Sequence, residues 1–187
     1  MTDLKSKEDQ TANEHGRCML NRRDFLMYSG TAVVAASTVS LSLFPGTAKA
    51  RVVGYPRKKI GKLSALKDNQ LVGFVYPDEK AQNFLVKMDG AKAGGGLGPK
   101  RDVVAFSYTC THQGGSMVGT YKAVGPHRVM GQCPLHLSTY DLTRHGIIVS
   151  GQAYQSLPQV MLELDGDDIY AVGVMGLIYG RHDNLQS

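Results

Sequence analysis

Two short segments constrain this chain more than any other feature: Cys110-Thr111-His112 and, after an interval of twenty residues, Cys133-Pro134-Leu135-His136. Each contributes one thiol and one imidazole, so whatever fold surrounds them must bring two separate loops to one place. Two thiolates and two imidazoles suit tetrahedral zinc, and spacing alone leaves that reading open. Zinc knuckles, however, usually set two cysteines on one segment and two histidines on the other. The mixed pairs fit an asymmetric 2Fe-2S cluster in which one iron takes both thiolates and the other both imidazoles. Neutral imidazole in place of anionic thiolate makes such a cluster easier to reduce, with potentials of roughly −150 to +300 mV against about −400 mV for all-cysteine plant-type clusters.

The remaining sequence predicts an all-β scaffold for these loops. Short apolar runs rich in Val, Ile, Tyr and Phe cover residues 71–76, 84–88, 103–108, 128–132, 147–150, 159–164 and 169–174. Each reads as a strand. Turn signals such as Tyr76-Pro77-Asp78, Asp89-Gly90, Gly125-Pro126 and Asp165-Gly166-Asp167 separate them. No stretch keeps a helical apolar period for three turns. The glycine cluster Ala93-Gly94-Gly95-Gly96-Leu97-Gly98-Pro99 lacks the terminal Gly-Lys-Ser/Thr of a phosphate loop and reads as a surface loop. At 187 residues and 42% hydrophobic content the chain has room for one ordinary domain. Its net charge of +5 is spread without any dense basic block, which gives nucleic-acid binding little support.

Residues 1–50 read as a targeting segment. A polar stretch ends in Asn21-Arg22-Arg23-Asp24-Phe25-Leu26, an apolar run follows to Phe44, and Ala48-Lys49-Ala50 offers an A-x-A cleavage site. This is the layout of a twin-arginine export signal, with an uncleaved membrane anchor as the alternative. The expectation is a periplasmic protein whose folded domain spans 51–187 and retains a charge of +4 from 15 basic and 11 acidic residues. Cys18 falls in the targeting segment and carries no expected chemistry. His15, His127, His145 and His182 lie outside the two Cys-His segments and are expected to be solvated surface residues.

The spacing of the two segments resembles the cluster-binding boxes of the Rieske family. That resemblance implies a Rieske fold of antiparallel sheets and a 2Fe-2S cluster held by Cys110, His112, Cys133 and His136. It also implies roles for Ser138 and Tyr140, the positions where high-potential members carry hydroxyls that donate to a bridging sulfide and to a cysteine sulfur. Donors aimed at sulfur stabilise the reduced cluster and raise its potential. Gly151-Gln152-Ala153-Tyr154-Gln155-Ser156-Leu157-Pro158 resembles the family's third loop, which covers the cluster. In other Rieske proteins the ligand imidazoles lose protons more readily when oxidised, implying a potential that falls with pH. One departure stands out: Gly115 and Leu135 occupy positions where many members place a disulfide. Such a crosslink is worth on the order of 3 kcal/mol in a disputed chain-entropy model. Packing, including Leu135 and Tyr140, is expected to hold the loops instead, with a cluster more readily lost on heating.

Within the family the chain resembles the small subunit of arsenite oxidase. The likeness extends to Phe74-Val75-Tyr76-Pro77-Asp78, the loop ending Gly98-Pro99, and the terminal Ala171-Val172-Gly173-Val174-Met175-Gly176-Leu177-Ile178-Tyr179-Gly180-Arg181. It implies an electron relay with no catalytic residues of its own. The implied partners are a large molybdopterin subunit, also holding a 3Fe-4S cluster, and a soluble cytochrome c or copper-protein acceptor. The alternatives are the small subunit of an iodate-type oxyanion reductase and the Rieske subunit of a bc-type quinol-oxidising complex.

Overall fold

The computed structural model describes residues 54–185; the targeting segment, its twin arginines, His15 and Cys18 lie outside the described residues. The described chain is β throughout, its helices amounting to two 3-10 turns at Leu63–Ala65 and Leu142–Arg144. None of its helices is long and apolar enough to cross a membrane.

Ten strands form two antiparallel sheets. β1 (Lys58–Lys62), β2 (Leu71–Val75), β3 (Gln82–Lys87), β4 (Val103–Ser107), β9 (Gln159–Asp165) and β10 (Asp168–Met175) make a six-stranded sheet in the order β1-β10-β9-β4-β3-β2. β5 (Tyr121–Val124), β6 (His127–Met130), β7 (Thr139–Asp141) and β8 (Ile147–Ser150) make a four-stranded sheet inserted between β4 and β9. All seven strands expected from the sequence are present, with ends shifted by up to two residues. Three more escaped the apolar pattern. β1 reads Lys-Lys-Ile-Gly-Lys and β5 reads Tyr-Lys-Ala-Val; both are edge strands, where charge blunts an unpaired rim. β7 has only three residues.

The continuous apolar run of β4 has a structural cause. Val104 and Phe106 face one core together with Phe84 and Val86 of β3, Met130 and Tyr140 of the inserted sheet, and Leu142 of the 3-10 turn after β7. Val103 and Ala105 face a second core with Leu85, Ile169 and Ala171. A strand buried on both faces has no polar alternation to show. Both cysteines of the site belong to the first core, beneath the inserted sheet.

The insertion carries all three loops singled out in the sequence. The first joins β4 to β5, the second β6 to β7, and the third β8 to β9.

Candidate metal centre

The first two loops are built by the same turn. Cys110 N–H donates to Gly115 O at 2.8 Å and Gly114 N–H returns to Cys110 O at 3.0 Å. In the second loop Cys133 N–H donates to Ser138 O and Leu137 N–H returns to Cys133 O, both at 2.9 Å. The fourth residue after each cysteine is left-handed, with φ of 70° at Gly114 and 63° at Leu137. Glycine adopts that conformation freely; an L-residue does so at a cost of roughly 1–2 kcal/mol.

The turns deliver the four candidate donors as two pairs. Cys110 and Cys133 are each 1% exposed and belong to the same buried core. His112 and His136 stand at the outer end, half-buried and exposed respectively, their rings 85° apart with Nδ1 facing Nδ1 at 3.2 Å. Two imidazole nitrogens bound to one tetrahedral ion at about 2.05 Å would sit about 3.3 Å apart, so the pair suits a single metal ion. Among the described residues no three His, Cys, Asp or Glu side chains close on one point. A lone tetrahedral zinc requires all four donors on one point, whereas a buried thiol pair and an outer imidazole pair fit two irons.

Hydroxyls converge on the thiol end. Tyr140, fully buried, places Oη 3.2 Å from Cys110 Sγ. Thr111 N–H donates to that Oη at 3.1 Å, and Thr111 Oγ1 lies 3.0 Å from it. The Thr111 hydroxyl donates to Gln155 O at 2.6 Å, so its proton is committed to that carbonyl. Burial, then the adjoining Cys110 sulfur, pushes the Tyr140 phenol up to about 12, keeping it a donor. Ser138 Oγ accepts the N–H groups of Gln152 and Ala153, both at 3.2 Å, which leaves its own proton to point at sulfur. Burial opposes ionisation of Cys110, but hydrogen bonds led by that from Tyr140 and including Ser138 outweigh it and lower its pKa. For Cys133 burial dominates and the thiol pKa is raised.

The third loop covers this end, as expected. Gly151 packs so closely that a Cβ there would lie 2.3 Å from Ser138 Cα, and its φ is 94°. Tyr154, 90% exposed, approaches the edge of the His112 ring at 6.2 Å between centroids.

Leu135 of the second loop leans over Gly115 of the first, its Cδ1 and Cγ 3.0 and 3.1 Å from where a Cβ there would lie, so it packs one loop on the other while 54% exposed. One expectation needs correction. His127 is half-buried rather than freely solvated, with Nδ1 3.1 Å from Oδ2 of the buried Asp141. His145 is exposed, as expected, and its Nδ1 lies 2.8 Å from Gln159 Oε1. His182 is exposed, as expected. Thr111, Gln155 and Tyr179, whose ring crowds Gly114, belong to the site although sequence reasoning did not single them out. Thr111 was visible between the ligands of the first box and Gln155 within the third loop; Tyr179 stood in the terminal 171–181 segment with nothing to mark it as part of the site.

Comparison with known proteins agrees with this geometry. Residues 58–161 match the family model of the Rieske [2Fe-2S] domain. The chain is 53% identical over 180 residues to the iodate reductase subunit IdrB of Denitromonas iodatirespirans, covering 94% of this chain and 92% of the relative. It is 51% identical over 164 residues to the iodate reductase subunit IdrB of Pseudomonas sp. (strain SCT), covering 88% and 84%. Among solved structures, the soluble domain of Rieske protein II (soxF) from Sulfolobus acidocaldarius superposes with a TM-score of 0.61 at 25% identity, over 71% of this chain and 84% of that one. The chain belongs to the Rieske [2Fe-2S] domain family, and its cofactor is accordingly a 2Fe-2S cluster.

Proposed function

We propose that this chain is the electron-transfer small subunit of an oxyanion reductase of the iodate type. In this reading Cys110 and Cys133 hold the inner iron, His112 and His136 the outer one, and Ser138 and Tyr140 tune the centre. The observation that carries the ligand assignment is the sorting of donors into a buried thiol pair and an outer imidazole pair. When bound, the cluster stores and releases one electron. The protein keeps water from the thiol end with Gly151, Ala153 and Leu157, and aims hydroxyl protons at sulfur from Tyr140 and Ser138. It leaves the His136 edge open, beside exposed Leu135, Leu137 and Tyr154, and that edge is where an electron crosses to a partner.

The relatives favour iodate over arsenite as the oxyanion handled by the complex. Chemistry on the oxyanion belongs to a large molybdopterin subunit; a soluble cytochrome c or copper protein exchanges electrons with this one. An arsenite oxidase-type complex is the second reading, favoured by the 74–78 and 171–181 segments. Export by the twin-arginine route would place the complex in the periplasm, with residues 1–50 as signal or anchor.

Low-temperature EPR of the dithionite-reduced protein tests the centre. A rhombic signal with average g of about 1.9, altered by His112→Cys, is the expected result for mixed Cys/His ligation. A colourless, EPR-silent metalloprotein would sink it. Turnover of the purified complex with iodate or with arsenite separates the two oxyanions, and an Arg22→Lys/Arg23→Lys variant retained in the cytoplasm would support the export route.

A further inference from the structure

The loops of this site are not crosslinked: Cys110 and Cys133 are free thiols, and the apolar contact between the two loops is Leu135 on Gly115, more than half exposed. Residues 176–185, beyond the family match at 58–161, reach both the first loop and the covering loop. We propose that this C-terminal segment is a strap that positions the cluster loops, seating Tyr179 on Gly114 and gripping Gln155 through Leu177 O. The inference rests on the ligand assignment above.

The strap is anchored independently of the site. Ile178 is buried in the second core. Buried Asn184 folds the segment on itself, with Nδ2 donating to Gly176 O at 2.8 Å and Oδ1 accepting Ile178 N–H at 2.9 Å. Arg181 grips Asp78 at the β2–β3 turn through two hydrogen bonds, one of 2.9 Å, and donates to Asn184 O at 3.1 Å.

From that anchorage two arms extend. A Cβ at Gly114 would lie 2.7 Å from Tyr179 Cε1 and 2.8 Å from Cδ1, so the ring lies directly on the loop backbone between His112 and Gly115. Gln155 Nε2 donates to Leu177 O at 2.9 Å. Gln155 O in turn receives the Thr111 hydroxyl, and Thr111 N–H fixes the Tyr140 oxygen that faces Cys110. Loosening Leu177 therefore reaches the hydroxyl beside the ligand sulfur through two residues, Gln155 and Thr111. Tyr179, Gln155 and Thr111 are positioning residues in this arrangement.

The test uses the full chain and three readouts: the half-time of cluster loss on warming, the midpoint potential, and amide hydrogen exchange at Thr111 and Gly114 in metal-free protein. Tyr179→Ala and Gln155→Ala are expected to lose the cluster at least about fivefold faster and to exchange faster at both amides. Gln155→Ala should also titrate to a lower potential. Tyr179→Phe, which keeps the ring, is expected to match the wild type. Arg181→Gln touches no cluster loop and should change loss and exchange in the same direction by releasing the far anchor. Cluster retention, potential and exchange unchanged in Tyr179→Ala, Gln155→Ala and Arg181→Gln would overturn the strap. If wild-type protein binds no such cluster, the ligand assignment fails instead, and exchange in the metal-free variants alone decides the strap.

Discussion

Tyr140 Oη stands 3.2 Å from Cys110 Sγ while the Thr111 N–H occupies the same oxygen from the other side. With the Thr111 hydroxyl proton given to Gln155 O, the phenol proton has two acceptors in reach, Thr111 Oγ1 at 3.0 Å and Cys110 Sγ, and an anionic thiolate ligand is the stronger draw. Tyr140→Phe and Ser138→Ala should each lower the midpoint potential by roughly 60–130 mV. That range follows from about 1.5–3 kcal/mol for a hydrogen bond to a charged group and about 59 mV per 1.4 kcal/mol for one electron. A redox titration followed by EPR decides this, and potentials equal to the wild type would remove both hydroxyls from the tuning role.

Gly151→Ala should be among the most damaging single-methyl changes in the domain. Its Cβ would fall 2.3 Å from Ser138 Cα, which is backbone and cannot swing aside, and φ of 94° is itself hostile to an L-residue. Destabilisation of about 3 kcal/mol or more, read from chemical unfolding, is expected, together with a covering loop displaced from the thiol end. A variant as stable as the wild type would show that the loop is not held against Ser138.

Leu137 is 56% exposed and Tyr154 is 90% exposed, both beside the open histidine edge. Leu137→Ser and Tyr154→Ala should each slow electron exchange with the partner about tenfold while leaving the midpoint potential in place, as expected of truncated interface anchors. A rate unchanged at matched potential would move the docking surface elsewhere.

The Arg181 guanidinium holds the Asp78 carboxyl down at about 2, below its ordinary 3.8. A depressed carboxylate contributes stability that is present above the unfolded pKa and lost as pH falls through the folded one. The loss is therefore expected between about pH 4 and pH 2. Asp78→Asn should cost about 2 kcal/mol at neutral pH, the scale of a charge-assisted hydrogen bond, and flatten that part of the acid unfolding curve. An acid profile identical to the wild type would contradict the pairing.

The sequence was legible where local chemistry dictates structure. β3, β4, β9 and β10 announced themselves because apolar β-branched and aromatic residues line buried faces. β1 did not, because an edge strand of lysines buries only part of one face. The four donors stood out through residue type and spacing, which chemistry fixes. The Gln155–Leu177 and Tyr179–Gly114 contacts did not, since they depend on how a terminal segment lies across loops sixty and twenty residues away, and no local pattern encodes that.

The paired turns at Cys110 and Cys133 also determine how the domain comes apart. Each loop supplies one thiol and one imidazole, so on the proposed assignment each iron is bonded once to either loop, and neither loop can keep a metal ion by itself. The cofactor is then the rivet between two halves of the tip, set when iron and sulfide are loaded. A thiol reductant that would open a disulfide has nothing here to cut, whereas a chelator must draw out both irons before the two loops part.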